Sequence, residues 1–146
     1  MSENAQETRI ADALIQVTRL VERVFAEVGR HCELTPQQAQ LLCLLTDGPI
    51  GMTDLSRLLN LEKSSLTGLV DRVERRGLVA RHRDTCDRRA WHVALTEEGQ
   101  RAGAETHDLV NARLEALAED LPASDRDQVA AALVHLLAAH RRTTAD

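Results

Sequence analysis

Apolar residues recur at helical spacing near the start of this chain of 146 residues. The spacing of three or four positions predicts one long amphipathic helix from about Ala5 to Gly29. Its apolar stripe consists of Ile10, Leu14, Val17, Val21, Val24 and Val28. No neighbouring segment offers a matching apolar face, so we expect this helix to pack against a partner.

The second and third predicted helices are short. The second begins with an N-cap, a proline at the first helical position and a capping-box partner, which are Thr35, Pro36 and Gln38. It ends at Leu45, before the sequence Asp-Gly-Pro. The third helix fits Met52 to Leu59, with Gly51 as its cap. Its inward-facing residues are expected to be Leu55, Leu58 and Leu59.

A tight turn joins the third helix to a fourth. Asn60 suits the turn because asparagine tolerates the left-handed conformation. The fourth helix is predicted from about Glu62 to Arg76, with Gly77 as its C-terminal cap. Its buried stripe consists of Leu66, Leu69, Val70 and Val73. Two short helices joined in this way indicate a helix-turn-helix.

Two β-type stretches follow, at residues 78–83 and 90–95, around a polar segment at residues 84–89. They predict a β-hairpin with a charged tip. Two long helices complete the chain: Thr96 caps the fifth, from Glu97 to about Glu119, and the sixth begins at Ser124 after a proline. The last helix carries Val129, Leu133, Leu136 and Leu137 on one side.

These elements predict a mainly α fold with a small β-hairpin wing, an α+β class. Residues 1–146 are expected to form a single domain, in which residues 34–99 are a winged helix-turn-helix lobe. Residues 5–31 and 97–142 flank this lobe as helical regions. Their long apolar faces predict a dimer interface.

Charge is distributed unevenly along the chain. The formal net charge is -5, which by itself argues against nucleic acid as a partner. Between Arg57 and His92, however, nine lysines and arginines face only five acidic residues, a balance of +4, whereas the remainder carries -9. An acidic body with a basic middle suits a protein that presents one face to DNA.

Several classes of protein are disfavoured. The sequence has neither an apolar run of membrane-spanning length nor a secretory signal pattern, so we expect a cytoplasmic protein that does not bind membranes. Three dispersed cysteines fit neither a disulfide framework nor a thiolate zinc site. No glycine-rich phosphate loop, zinc-hydrolase pattern or activated nucleophile is evident. We therefore predict no enzymatic activity, no cofactor and no bound metal.

The tract at residues 34–99 carries a family resemblance. It reads LTPQQAQLLCLLTDGP, then LSRLLNLEKSSLTGLVDRVERRGLV, and then RHRDTCDRRAWHVALTEEG. This tract resembles the MarR family of winged helix-turn-helix transcriptional regulators, and the charged tip before LTEEG is its most specific part. The resemblance implies a homodimer that binds a pseudo-palindromic DNA operator and represses transcription. It also implies a pocket between the dimerisation helices and the DNA-binding lobe for a small aromatic or phenolic ligand, of which the sequence names neither the identity nor the binding residues.

The resemblance assigns the fourth helix to the major groove and the hairpin to the minor groove. The expected DNA contacts of the helix are Lys63, Ser64, Ser65, Thr67 and Arg72, although the two serines could instead cap the helix. Arg72 is expected to reach phosphate. Many relatives carry a long basic side chain where this chain has Gly68, so a guanine contact is expected to be missing there. In the wing, Asp87 supports an arginine, and either Arg88 or Arg89 enters the minor groove.

Other hypotheses remain open. Cys86 at the wing tip lies among arginines that could make its thiol reactive, which would suit a redox-responsive regulator. His82 and His92 on opposite hairpin strands would suit a metal-responsive one, but two histidines alone make a weak site. A winged helix used only for protein contacts is a third alternative. Its binding would be insensitive to replacement of the wing arginines.

Overall fold

A computed structural model describes residues 9–143. Within that range the chain forms six helices and three short strands. Their bounds are α1 Ile10–His31, α2 Pro36–Leu45, β1 Ile50–Gly51, α3 Met52–Leu59, α4 Lys63–Arg75, β2 Val79–Arg83, β3 Trp91–Leu95, α5 Glu97–Leu117 and α6 Ala123–Thr143. The mainly α fold with a hairpin wing is thus confirmed. Residues 5–8, which begin the predicted first helix, lie outside the described residues.

Local capping signals form as the sequence predicts. The Thr35 hydroxyl accepts a hydrogen bond from the Gln38 backbone N–H, and the Gln38 amide oxygen accepts one from the Thr35 backbone N–H. Asn60 ends α3 in the left-handed conformation, at φ 51°. Gly77 follows α4 at φ 76°. Each signal acts over a few residues, so the sequence alone determines it.

The predicted helix ends differ from the observed ones by one or two residues. Helix α1 continues to His31 instead of stopping at Gly29, and α4 is one residue shorter at each end. Helix α5 ends at Leu117 instead of Glu119, and α6 begins at Ala123 instead of Ser124. Helix ends fray and close with tighter turns, so periodicity locates them only approximately.

The sheet contains one strand more than the predicted hairpin. Strands β2 and β3 pair antiparallel, with His82 opposite His92, and β1 adds to the other edge of β3, with Ile50 opposite Val93. The strand order is therefore β1-β3-β2. Strand β1 has only two residues, too few for an alternating pattern to be visible in the sequence.

The core of the lobe lies between α2, α3, α4 and the sheet. The four predicted apolar residues of α4 are all buried, as are Leu41 and Leu42 of α2 and Leu55 of α3. The prediction for Leu58 is wrong, because 58% of this residue is exposed. Helix α3 has only eight residues, and Leu55 and Leu59 face the core on a stripe too narrow to include Leu58.

The chain divides into two compact units, one ending at Asn111 and the other beginning at Ala112. In the second unit, no described residue of α6 is buried, although the helix is rich in leucine and valine. Among residues 9–143, no helix is both long and apolar enough to span a membrane. The single-domain organisation and the lobe boundaries stay predictions.

Candidate nucleic-acid interface

The turn between α3 and α4 is held by two hydrogen bonds across it. The Leu61 N–H donates to the Ser56 carbonyl at 3.0 Å, and the Ser56 hydroxyl donates to the Leu61 carbonyl at 2.5 Å. Leu55 of α3 and Leu66 of α4 are buried in the same core. The turn between the two helices therefore fixes the direction of α4 relative to α3. The outer face of α4 is thereby presented as a rigid surface.

The outer face of α4 carries all five side chains that the sequence predicts as DNA contacts on this helix. They are exposed: Lys63, Ser64, Ser65, Thr67 and Arg72. Glu62 occupies the N-cap position, and no side chain caps the helix. Within residues 9–143 neither serine hydroxyl forms a hydrogen bond, so the capping alternative for Ser64 and Ser65 gains no support. The Thr67 hydroxyl donates to the Lys63 carbonyl at 2.8 Å, so its oxygen can still accept a hydrogen bond.

Arg81 of β2 connects α4 to the wing. Its guanidinium lies 2.5 Å from an Asp71 oxygen and 3.0 Å from a Glu74 oxygen, and it also donates to the Thr67 carbonyl. The Arg81 backbone N–H donates to Glu74 as well. Arg81 is only 21% exposed in its side chain, so these ion pairs are partly shielded from water. They set the spacing between α4 and the hairpin.

Asp84 organises the wing tip, a role that no pattern in the sequence marks. One carboxylate oxygen accepts hydrogen bonds from the backbone N–H groups of Cys86 and Asp87, at 2.7 and 3.4 Å. The other lies 2.6 Å from Nε2 of His92 on β3. The hydrogen bond to His92, followed by that from the Cys86 backbone, holds the pKa of Asp84 below its usual value.

Asp87 also supports the tip, but its hydrogen bond is to backbone. Its carboxylate accepts the Arg89 N–H at 3.0 Å, and its carbonyl accepts the Ala90 N–H at 3.0 Å. The side chains of Arg88 and Arg89 remain exposed. At the base of the tip, the Arg83 guanidinium lies 5.0 Å from the ring centroid of Trp91, a cation–π contact that stiffens the paired strands.

The nine basic residues of the lobe divide into two groups. Four are engaged within the fold: Arg57 pairs with Asp54, Arg76 donates to the Glu33 carbonyl, Arg81 binds Asp71 and Glu74, and Arg83 lies over the Trp91 ring. The other five form neither an ion pair nor a side-chain hydrogen bond among residues 9–143: Lys63, Arg72, Arg75, Arg88 and Arg89. All five of these residues are exposed. Arg75 was not among the predicted DNA contacts. It lies seven residues after Gly68 and therefore on the same helix face, which is the sequence feature that could have identified it.

A cleft of about 660 Å³ opens between α3, α4 and the wing. Basic and apolar side chains both line it. They include Arg57, Lys63, Arg81 and Arg89 beside Met52, Leu66 and Trp91, and one acid, Asp71, which Arg81 binds. The cleft therefore suits a small molecule with an apolar body and a negative charge. It adjoins the same surface as the predicted DNA contacts.

The residues of the redox and metal alternatives all belong to the wing. Cys86 is exposed at the wing tip, whereas burial, together with nearby Cys32, raises the pKa of Cys43 to about 11. His82 and His92 are paired across the hairpin as predicted. In the part of the chain that the structure describes, no three histidine, cysteine or acidic side chains converge as a metal site.

Comparisons with known proteins give one consistent result. Residues 34–91 match the sequence model of the MarR family. The HTH-type transcriptional regulator FarR of Neisseria gonorrhoeae is 30% identical over 122 residues, which cover 83% of this chain and 84% of FarR.

Solved structures resemble the whole described fold. The structure of NadR in complex with 4-hydroxyphenylacetate superimposes with a TM-score of 0.76 at 28% identity, covering 93% of this chain and 97% of NadR. The transcriptional repressor CouR bound to a 23-mer DNA duplex gives a TM-score of 0.75 at 27% identity, covering 94% of this chain and 98% of CouR.

Proposed function

Since this chain belongs to the MarR family and is a winged helix-turn-helix DNA-binding transcriptional regulator, we propose that it represses its target genes by binding a pseudo-palindromic operator as a homodimer. The observation that carries the proposal is the surface formed by α4 and the wing. Five basic side chains there are exposed and form neither an ion pair nor a side-chain hydrogen bond among residues 9–143. Repression follows when the bound dimer blocks polymerase in the cytoplasm.

The proposed binding mode uses two grooves. The N-terminal half of α4 enters the major groove, where Lys63, the hydroxyls of Ser64 and Ser65, and Thr67 meet base edges and phosphates. The wing follows the backbone to the neighbouring minor groove, where Arg88 or Arg89 inserts. The bridge from Arg81 to Asp71 and Glu74 supports this mode, because both elements must reach DNA at a fixed spacing.

Exposed apolar residues support the homodimer. Large hydrophobic side chains remain in solvent on both outer helices: Ile10, Ile15 and Val17 of α1, and Val129, Leu133, Val134, Leu136 and Leu137 of α6. Soluble monomers rarely expose apolar surface this extensive, whereas a second copy would cover it. A two-fold dimer places its recognition helices in half-sites about one DNA turn apart.

A small aryl carboxylate or phenol is the proposed effector. NadR binds 4-hydroxyphenylacetate, a molecule that carries both groups. In this chain, the cleft between α3, α4 and the wing offers basic side chains for the carboxylate and the Trp91 ring for the aromatic body. A ligand there would compete with DNA for Lys63 and Arg89. The pocket between the dimerisation helices and the lobe, implied by the family resemblance, stays a second prediction.

The direct test is selection of bound genomic fragments by the purified protein, with the affinity followed against salt concentration. We expect a short inverted repeat. If the five unpaired basic residues of each protomer meet phosphate, the logarithm of the affinity falls against the logarithm of salt with a slope approaching about -9. Recovery of no common sequence by a verified dimer at low salt would contradict the proposal and favour the redox or metal alternatives at Cys86, His82 and His92.

A further inference from the structure

The centre of the outer face of α4 is occupied by a glycine. Gly68 lies opposite the buried stripe of Leu66 and Leu69, one turn after Ser64 and one turn before Arg72. A side chain at this position would point directly away from the core. Among residues 9–143, a Cβ built on Gly68 would meet only one atom within 4 Å outside its own helical backbone and chain neighbours, Nη2 of Arg72 at 3.7 Å.

The Arg72 guanidinium therefore covers the surface that a side chain at position 68 would fill. Helical side chains lean toward the N-terminus, so Arg72 delivers its charge about one turn nearer the start of α4 than its own Cα. That displacement moves the guanidinium from the last turn of the helix to its middle, beside Gly68 and about one turn from Ser64. Residues in the N-terminal half of a recognition helix are those that meet base edges.

The hydrogen-bond donors of Arg72 are uncommitted. The adjacent Asp71 is the nearest acid in sequence, but its carboxylate is held by Arg81 at 2.5 Å. Arg72 itself is exposed, and within residues 9–143 it forms neither a hydrogen bond through its side chain nor an ion pair. By engaging Asp71, Arg81 leaves Arg72 available to an external acceptor.

We propose that Arg72, lying over Gly68, reads a guanine in each half-site of the operator. A guanidinium can donate two parallel hydrogen bonds to O6 and N7 on the major-groove edge of guanine, a pairing that no other base offers. The inference rests on the proposed function. It changes the expectation for two residues: the absence of a side chain at Gly68 makes room for the contact, and Arg72 meets a base instead of phosphate alone.

Arg75 provides a matched control. It is exposed on the same helix and, within residues 9–143, also lacks an ion pair, but it lies three positions nearer the C-terminal end of α4. At that position we expect contact with phosphate. Replacing Arg72 or Arg75 with alanine removes the same charge from the same helix, so a difference between the variants reports the role of the side chain.

The experiment compares operator selection by wild type, Arg72→Ala, Arg72→Lys and Arg75→Ala. For Arg72→Ala we expect loss of the preference for guanine at one position in each half-site, where wild type prefers guanine by about 10- to 100-fold. Arg72→Lys keeps the charge but lacks the planar pair of donors, so its preference should be intermediate. Arg75→Ala should bind more weakly to all sequences and keep the wild-type preferences.

A modified base makes the test atom-specific. 7-Deazaguanine at the assigned position removes the N7 acceptor, so it should weaken binding by wild type several-fold and leave binding by Arg72→Ala unchanged. Uniform weakening by Arg72→Ala with intact guanine preference would overturn the inference and assign Arg72 to phosphate. Failure of wild type to select an inverted repeat would instead overturn the proposed function, and the inference with it.

Discussion

At the scale of single residues, the sequence predicts hydrogen bonds between close neighbours in the chain but not those between distant residues. The caps at Thr35 and Asn60 were predicted because each depends on neighbours a few positions away. The partners of Arg81 were not, since Asp71 and Glu74 come within reach only when β2 turns back along α4. The role of Asp84 was missed for the same reason, because His92 lies across the hairpin.

Two helical glycines should respond oppositely to alanine. A Cβ on Gly99 would lie 1.7 Å from the Leu78 carbonyl oxygen, whereas one on Gly68 would meet only Arg72 at 3.7 Å. We expect Gly99→Ala to lower the free energy of unfolding by about 3 kcal/mol, since backbone must move. Gly68→Ala should raise it by up to about 1 kcal/mol, because alanine favours helix. Thermal denaturation of both variants checks this pair, and an unchanged midpoint for Gly99→Ala would contradict the close approach.

At the scale of helices and strands, the length of an element decides whether the sequence predicts it. Helices α1 to α6 and the hairpin repeat their patterns often enough to be recognised, whereas β1 has two residues and no period. The exposed Leu58 marks the same limit, because eight residues of α3 define its buried face poorly. The register of β2 against β3 places His82 opposite His92. The hairpin pattern of the sequence is enough to predict this pairing.

The wing tip should depend on the carboxylate of Asp84. In Asp84→Ala, the N–H groups of Cys86 and Asp87 lose their acceptor, so their hydrogen exchange at neutral pH should quicken by about tenfold. DNA affinity should fall as the tip loosens. Thr85→Ala is the control, since its hydroxyl makes only a 4.0 Å contact with the Cys86 sulfur. Unchanged exchange in Asp84→Ala would show that the tip is held by other contacts.

The same carboxylate makes a pH-dependent contribution to stability. The pKa of Asp84 is lower in the folded protein than its usual 3.8, because its ionised form accepts hydrogen bonds from His92 and Cys86. Its contribution is therefore fully present above the usual pKa and is lost as the pH falls through the lowered value. The stability difference between wild type and Asp84→Ala should shrink below pH 3.8. Denaturation across this pH range checks the sign, and a difference that grows in acid would contradict it.

At the scale of the whole molecule, the apolar face of α6 is the feature that a single chain leaves unexplained. The sequence predicted this face from Val129, Leu133, Leu136 and Leu137, and all four are exposed to 41–54%. The spacing of apolar residues identifies the stripe but does not identify the surface that covers it. The homodimer is therefore a proposal. The proposed effector is defined only by chemical class for a similar reason, because the cleft offers basic and apolar side chains that suit many small aromatic anions.

Charged residues on α6 should separate the dimer. The variant Leu133→Glu with Leu137→Glu places two carboxylates one turn apart in the proposed interface, where burial would leave them unpaired. Light scattering at micromolar concentration should report a monomer, with operator affinity reduced because half-site binding is no longer coupled. Gln128→Glu on the same helix should stay dimeric. A double variant that remains dimeric would place the interface elsewhere.

The central claim is that α4 and the wing together contact DNA, and the most direct test is the operator affinity of Arg88→Ala with Arg89→Ala. The control, Arg30→Ala with Arg101→Ala, removes the same charge from α1 and α5. We predict that the wing variant stays folded, binds on the order of 100-fold more weakly and loses about two units of salt slope per dimer or more. The control should change affinity only a few-fold. Equal affinity of the wing variant and wild type would contradict the claim and favour a winged helix that serves protein contacts.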